Sequence, residues 1–475
     1  MFAPQVYAAR RRRLTEALHS RGARNAIALF PGNREAPMNY PDNAYRFRQD
    51  SSFLYFFGIA EPELWATLDL DSGEATLYAE DISEDTMVWT GPRPGARDLA
   101  DMAAIERVKP PASLADAARS ARRAGRDILY LPPYRGDTLL ELAGLLGVPP
   151  SSVAAGASRE LIASVVSIRE IKNDAELAEI ERAVDISIEM HEAVIRAARP
   201  GMAEAELMAL AYQRALAGGG MPSFPPIATT RGAVLHNHGY GGTLRDGGLF
   251  LLDAGAETAE GYAGDLTSTF PIGRRYDERQ KAVYEIVLEA GRTAVGAMGP
   301  GKPFREAHFA AARAITAGLK GLGIMRGDTD EAVAAGAHAL FFPHGVGHQM
   351  GLDVHDMEAL GEDNVGYDGT SRSTLFGLKS LRMAKELKPG MVVTVEPGIY
   401  FIEGLIANWK KAGKHGAFID YGEAERWLGA GGYRNEEDWT VSASGTRRLG
   451  RPFDKSVSAM EALREIGRAS CRERV

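Results

Sequence analysis

The chain carries one cysteine in 475 residues, Cys471. A disulfide within the chain is therefore excluded, and a reducing compartment is expected. No run of about 18 apolar residues occurs, so no transmembrane helix is expected. The first residues, Met-Phe-Ala-Pro-Gln-Val-Tyr and then Arg10 to Arg13, have no apolar stretch behind their charges. They do not read as a signal peptide, and cytoplasm is the default expectation. An excess of positive charge is also missing. The net charge of −8 argues against nucleic acid or an anionic membrane as the main partner. No internal repeat is visible.

What is present is ordinary for a soluble globular protein, with 45% apolar and 25% charged residues. The length predicts two or three domains. Residues 4–22 read as a helix closed by Gly22, and Asn25 to Phe30 as a strand. The stretch from Pro31 to Pro41 reads as a loop. Phe47 to Gly58 reads as an aromatic core strand that ends at its glycine. Trp65–Asp71 and Glu74–Glu80 form a predicted hairpin around Asp71-Ser-Gly73. Helices over 112–124 and 136–146 flank a strand at Asp127–Pro132, which implies an α/β N-terminal domain over residues 1–165. Trp89-Thr-Gly-Pro reads as a turn. A long helix opens at Asn173, where Asn173 and Glu176 fit a capping box. Leu177, Ile180, Val184, Ile188, His191 and Ile195 follow on one face, so His191 reads as core. A second domain covers 166–450 and alternates further helices with strands. Residues 362–375 and 403–430 read as polar insertions. The basic tail, 451–475, shows no core pattern beyond one short helix and is assigned no function.

Five residues in this second domain suggest a metal centre. Asp253 closes the apolar strand Leu249-Phe-Leu-Leu. Asp265 follows 12 residues later, and His348 follows Gly345-Val-Gly347. Glu396 ends the apolar strand Met391–Val395, and Glu436 follows Tyr433-Arg-Asn. Each fragment alone is weak. Together, four carboxylates and one imidazole form an oxygen-rich set that suits Mn²⁺, Co²⁺ or Mg²⁺. Two carboxylates can each bridge a pair of ions, and a pair can share a nucleophile. If the strands holding Asp253 and Asp265 pair antiparallel through a loop at Thr258-Ala-Glu260, with Gly261 as a bulge, the two carboxylates lie opposite each other. They would repel strongly without a cation between them. The glycines before His348 would let the backbone approach the metal.

In this order and context the five residues resemble the creatinase/methionine-aminopeptidase, or pita-bread, metallopeptidases. Within them they resemble the proline-specific branch, aminopeptidase P and prolidase. Arg48-Gln-Asp-Ser-Ser-Phe-Leu-Tyr-Phe resembles the N-terminal domain of that branch. The resemblance implies a creatinase-like α/β domain followed by a pita-bread catalytic domain, with two divalent ions per chain. Manganese is the leading ion, with cobalt or zinc as alternatives. It makes Asp265 and Glu436 the bridging ligands, Asp253 a ligand of one ion, and His348 and Glu396 ligands of the other. Glu396 is also the implied proton acceptor. His236, His344 and His355 match positions that contact the substrate and the reacting carbonyl. Arg382 lies where prolidases place an arginine for a dipeptide's free carboxylate. Arg434 is expected beside a metal carboxylate. Trp89 falls in a region that, in the family, lies near a neighbouring subunit's cleft, and the family forms dimers or tetramers. The implied activity is hydrolysis of the bond between an N-terminal residue and a following proline. Prolidase, which is limited to dipeptides, is the close alternative. A non-catalytic binding module with this fold is the alternative of another class, and it is disfavoured because all five ligands are present.

Overall fold

The computed structural model describes residues 2–472, with side chains described through residue 465. The last residues of the basic tail, 473–475, lie outside the described residues. The chain divides into two compact units. One holds the residues up to Arg169 together with Met357–Asn364, and the other holds Glu170–Asp356 and the residues from Val365 onward.

The first unit is built on a mixed five-stranded sheet. Its strands are β1 (Ala26–Pro31), β2 (Trp65–Asp69), β3 (Ala75–Tyr78), β4 (Arg107–Lys109) and β5 (Asp127–Leu129), in the order β4-β3-β2-β1-β5. The predicted hairpin is present, with Trp65 opposite Tyr78. Leu29, Trp65, Tyr78, Leu114 and Leu142 pack into one core cluster, which joins the sheet to the helices Leu114–Arg123 and Gly136–Leu146.

The aromatic run is a helix and not a strand. Ser51–Phe57 is capped by the Asp50 carboxylate, which accepts from the Phe53 N–H at 2.8 Å. Gly58 ends it in the left-handed region, and a Cβ there would run into the Tyr7 ring. Phe53, Tyr55, Phe56 and Phe57 are all buried. A helix that is apolar all round shows no helical period, so the run is indistinguishable from a buried strand in sequence. Arg10 and Arg11 donate to the Tyr55 and Phe56 carbonyls at the helix's end. Trp89 lies on the short helix Glu84–Thr90, not on a turn.

The second unit opens with the helix Asp174–Ala197. Its Asn173–Glu176 capping box is formed as the sequence predicts. Ten short strands follow: β6 (Met221–Pro222), β7 (Ile227–Thr229), β8 (Leu249–Asp253), β9 (Ala256–Glu257), β10 (Thr267–Pro271), β11 (Val392–Val395), β12 (Gly398–Tyr400), β13 (Gly432–Arg434), β14 (Glu437–Ser442) and β15 (Gly445–Arg448). They pair as β10-β8-β7, β11-β14-β15, β12-β13 and β6-β9. A single bridge, Thr267 to Glu436, joins the first two of these sheets. The insertions contain only the short helices Glu362–Gly366, Glu403–Lys411 and Tyr421–Arg426.

His191 is a core residue, as its helical position predicts. Ala254 O can only accept, so His191 Nε2 donates to it at 3.0 Å, and Nδ1 accepts from the Ser268 hydroxyl at 2.9 Å. Burial, helped by the Lys455 charge, lowers its pKa to about 3.

The tail differs from expectation. Val457–Arg472 is a 16-residue helix that packs on Asp174–Ala197. Arg464 is 1% exposed and donates to the carbonyls of Ile195, Ala198, Ile272 and Gly273. Its charge hides a core position from a reading based on hydrophobicity.

Two outcomes follow. Arg464→Leu should lower unfolding free energy by about 3 kcal/mol in urea titrations, because it leaves several buried carbonyls without a donor. His191 should show no titration by NMR between pH 8 and pH 4. With its folded value below the unfolded one, it contributes stability above about pH 6.5 that is lost as pH falls toward 3.

Candidate metal centre and active site

The site is assembled from strand ends. Strands β8 and β10 are antiparallel, but Asp253 lies opposite Thr267, not Asp265. The register differs from the predicted one by two residues. It continues through the Gly264 N–H, which donates to Ala256 O, and the Glu257–Ala263 bridge. A Cβ on Gly255 would lie 1.8 Å from Gly264 O, so the two backbones cross where neither residue has a side chain. Because side chains alternate with period two, the shift leaves Asp253 and Asp265 on one face. The connection turns at Thr258–Gly261, with Gly261 at φ 84°.

Thr267 next ties in Glu436. The Glu436 N–H donates to Thr267 O at 3.1 Å, and Thr267 Oγ1 donates to Glu436 Oε2 at 2.7 Å. His348 is fixed beside β11: its N–H donates to Thr394 Oγ1, and the Thr394 N–H donates to His348 O. Here the glycines serve packing. A Cβ on Gly347 would sit 2.1 Å from Thr394 O, and one on Gly345 would meet Leu381. They permit close approach to β11 and the 381 loop, where the sequence suggested close approach to a metal.

Asp265, His348 and Glu436 are buried, and each offers a ligand atom within 4.8 Å of the others. His348 Nδ1 donates to Gln349 O at 3.0 Å, which leaves Nε2 as a lone pair 3.5 Å from Asp265 Oδ2 and 3.9 Å from Glu396 Oε1. A carbonyl that fixes the tautomer in this way is the usual support of a ligating histidine. Burial, then repulsion from Asp253, Asp438 and Glu396, holds the Asp265 carboxyl well above its ordinary range. Burial, then Asp265 and Glu396, does the same to Glu436, and burial also raises Glu396. Asp265 Oδ1 is buried without a hydrogen-bond partner. An orphaned carboxylate oxygen among repelling carboxylates is what a hard cation would satisfy, so the donor set fits a divalent metal.

Asp253 is held differently. Arg434 donates to it through Nη2, to Thr267 Oγ1 through Nε at 3.1 Å, and to Tyr400 through Nη1 at 3.0 Å. Arg434 is buried and holds the Asp253 carboxylate, without a direct bond to Glu436. Tyr400 in turn donates to His344 Nε2 at 2.9 Å, and His344 Nδ1 donates to Gly345 O at 2.8 Å. Burial and the Arg434 charge push the His344 pKa down to about 3, so the ring is neutral. Both its nitrogens are engaged, and direct donation to a substrate would require giving up Gly345.

One cavity of about 630 Å³ gathers Asp253, Asp265, His348, Glu396 and Glu436 with His236, His344, His355, Arg382 and Arg434. His236 sits exposed at its edge, and His355 stacks on His348 with ring centroids 3.9 Å apart. Phe224, Pro225, Ile227 and Val354 supply apolar wall. Trp89 is the one expected residue that does not line this cavity; it is 87% exposed in the other unit. Sequence reasoning missed Tyr400, Thr267 and Asp438, whose carboxylate accepts from the Asp265 N–H at 3.0 Å. Asp438 was accessible through the two-residue spacing Arg434, Glu436, Asp438.

Residues 178–443 match metallopeptidase family M24, and residues 7–130 match the aminopeptidase P N-terminal domain. The Homo sapiens Xaa-Pro dipeptidase is 33% identical over 467 residues, which covers 94% of this chain and 90% of that protein. The Xaa-Pro aminopeptidase of Escherichia coli strain K12 is 28% identical, with 97% of each chain covered. The structure of Pseudomonas aeruginosa aminopeptidase PepP superposes with a TM-score of 0.80 at 29% identity over 99% of both chains. The fold and the carboxylate-lined cavity are thus those of a two-domain α/β pita-bread metallopeptidase. The chain belongs to metallopeptidase family M24.

Asp265→Asn and Glu436→Gln each remove one repelling charge. The chelator-stripped variants should melt about 1–2 °C above the stripped parent, as about 1 kcal/mol of relieved repulsion implies for a chain of this length. Added Mn²⁺ should raise the parent's melting temperature and move the variants' far less. Stripped variants no more stable than the parent would contradict this account of the cavity.

Proposed function

We propose that this chain hydrolyses the bond between an N-terminal residue and a following proline, using two divalent ions, most simply Mn²⁺. The observation that carries the reading is the convergence of five ligand-type side chains, four further histidines and two arginines on one cavity. Asp253, Asp265, His348, Glu396 and Glu436 would hold the ions. A bound metal pair supplies Lewis acidity and lowers the pKa of a water. Glu396, whose carboxyl is raised by burial and lies 3.8 Å from His344 Nδ1, would take a proton during attack. Such proton transfer contributes about 10²–10⁴ in rate. His236 and His355 face the substrate carbonyl. The neutral His344 acts through Tyr400, holding the hydroxyl that completes the Arg434 network. An Xaa-Pro bond is a tertiary amide without an N–H, so a site that needs no donor from it can accept it.

The single cysteine supports a cytoplasmic setting, and the net charge supports peptide and not nucleic acid as partner. No single helix among the described residues is long and apolar enough to cross a membrane. A homodimer or tetramer is the assembly we infer, as the family resemblance implies.

The dipeptidase reading is also favoured by one observation. Arg382 lines the same cavity, where a guanidinium could bind the free carboxylate of an Xaa-Pro dipeptide. The test is to supply the Mn²⁺-loaded chain with Xaa-Pro dipeptides and Xaa-Pro-Xaa tripeptides. Tripeptide cleavage establishes the aminopeptidase reading, activity confined to dipeptides establishes the dipeptidase one, and cleavage of neither refutes both. Arg382→Ala should weaken dipeptide cleavage by about tenfold to a hundredfold, the worth of one charged hydrogen bond, and tripeptide cleavage less. Equal losses on both would show that Arg382 does not read the chain end.

A further inference from the structure

The second unit begins with Glu170-Ile-Lys172, and neither charged residue lines the cavity. Both are almost fully buried, at 3% and 4% exposed. Lys172 Nζ donates to Asp356 Oδ2 at 2.9 Å. Asp356 directly follows His355, whose ring stacks on His348. The Lys172 N–H donates to Gly390 O at 2.9 Å, which fixes where the lysine arm starts. A Cβ on Gly351 would lie 2.5 Å from Asp356 Oδ2 and 2.8 Å from Lys172 Cε, so the His355 loop is wrapped closely around this ion pair.

Glu170 reaches a second loop. Its carboxylate takes the Lys385 ammonium on Oε2 and that of Lys388 on Oε1 at 3.1 Å. Lys385 is buried, three residues after Arg382, and its N–H and that of Ala384 both donate to Gly366 O. A buried charge is tolerated only with its partner in place. Buried pairs often add no more stability than apolar side chains would, but they are directional. Each one here ends near a residue that lines the cavity, His355 or Arg382.

We propose that Glu170 and Lys172 are positioning residues that set the two substrate-facing loops from one tripeptide. Lys172 acts through Asp356 on His355, and Glu170 acts through Lys385 on Arg382. The inference rests on the cleavage reading above for the roles of His355 and Arg382. Its signatures are separable. His355 faces the reacting bond, so loss of Lys172 lowers kcat on every substrate. Arg382 faces the chain end, so loss of Glu170 raises KM for dipeptides.

The experiment compares the Mn²⁺-loaded full chain with Lys172→Met, Glu170→Gln and the double variant Lys172→Met/Asp356→Asn, which leaves no unpaired charge if the single change fails to fold. Metal content, kcat and KM are measured on an Xaa-Pro dipeptide and an Xaa-Pro-Xaa tripeptide. Backbone hydrogen exchange is followed over residues 350–356 and 378–388. The expected result for either Lys172 variant is a fall in kcat of about tenfold to a hundredfold on both substrates, the range that misplacement of a reacting group produces, with metal content and KM near the parent's. Exchange should then quicken over 350–356 only. Glu170→Gln should raise KM for the dipeptide more than for the tripeptide and quicken exchange over 378–388 only. Parent-like kinetics, or matched losses of kcat and KM on both substrates with exchange quickened everywhere, would overturn the proposal. If the parent cleaves neither peptide, the cleavage reading fails by itself. The exchange pattern then decides this proposal: segment-selective changes support it and unselective ones overturn it.

Discussion

Four carboxylates facing one cavity is the constraint on which the catalytic unit depends. Asp253, Asp265 and Glu436 are buried and Glu396 nearly so, and burial and mutual repulsion both oppose the charge of Asp265, Glu436 and Glu396. The chain answers with little permanent countercharge. Arg434 is given to Asp253, and facing Tyr400, Asp253 and Glu396 hold its guanidinium ionised against the cost of burial. Lys455 lies buried behind the sheet and donates to the backbone carbonyls of Thr267 and Glu436, not to their side chains. The remaining imbalance is left for a metal to correct. β8, β10 and the Thr267–Glu436 bridge fix the backbone at Asp253, Asp265 and Glu436, and Glu396 directly follows β11.

Much of this was legible because the ligands sit in local contexts that sequence displays: an acid at the end of an apolar strand, or a histidine after Gly-Val-Gly. The register was not legible. It is decided by Gly255 and Gly264, whose missing side chains let the hairpin backbones pass, and that contact involves no feature of the ligands themselves. The two-residue error left the site intact because a strand repeats every two residues. An error of one would have turned Asp265 away from the cavity. The helix Ser51–Phe57 failed for a different reason. Four buried aromatics in seven residues erase the period by which helix and strand are told apart, and the deciding signals were the Asp50 cap and the Gly58 stop.

Tyr400 shows where single-residue reasoning ends. It lies four residues after Glu396, in Glu-Pro-Gly-Ile-Tyr, and nothing local assigns it a partner. Yet the glycine before it is informative in retrospect. A Cβ on Gly398 would lie 2.5 Å from the Tyr400 hydroxyl, and one on Gly432, opposite in β13, would lie 2.7 Å from its ring. Two glycines clear the space in which the tyrosine folds back toward Arg434 and His344. The tail helix makes the converse point. Its arginine-rich composition resembles a solvated end, but Arg464 is among the most buried side chains in the protein.

The interior of the cavity is therefore largely wired before any substrate arrives. Arg434, Tyr400 and His344 form one line of hydrogen bonds that ends on Gly345 O, and Thr267 joins that line to Glu436. Dipoles already held by one another need not reorganise when charge develops, which is the main way a buried polar site lowers a barrier. The same wiring limits what these groups can do directly. A neutral His344 with both nitrogens engaged is held in place, while His236 sits exposed at the cavity's edge. Buried ion pairs tie the loops carrying His355 and Arg382 to Lys172 and Glu170. A loop at the wall of a buried site keeps its geometry only as far as something else holds it still.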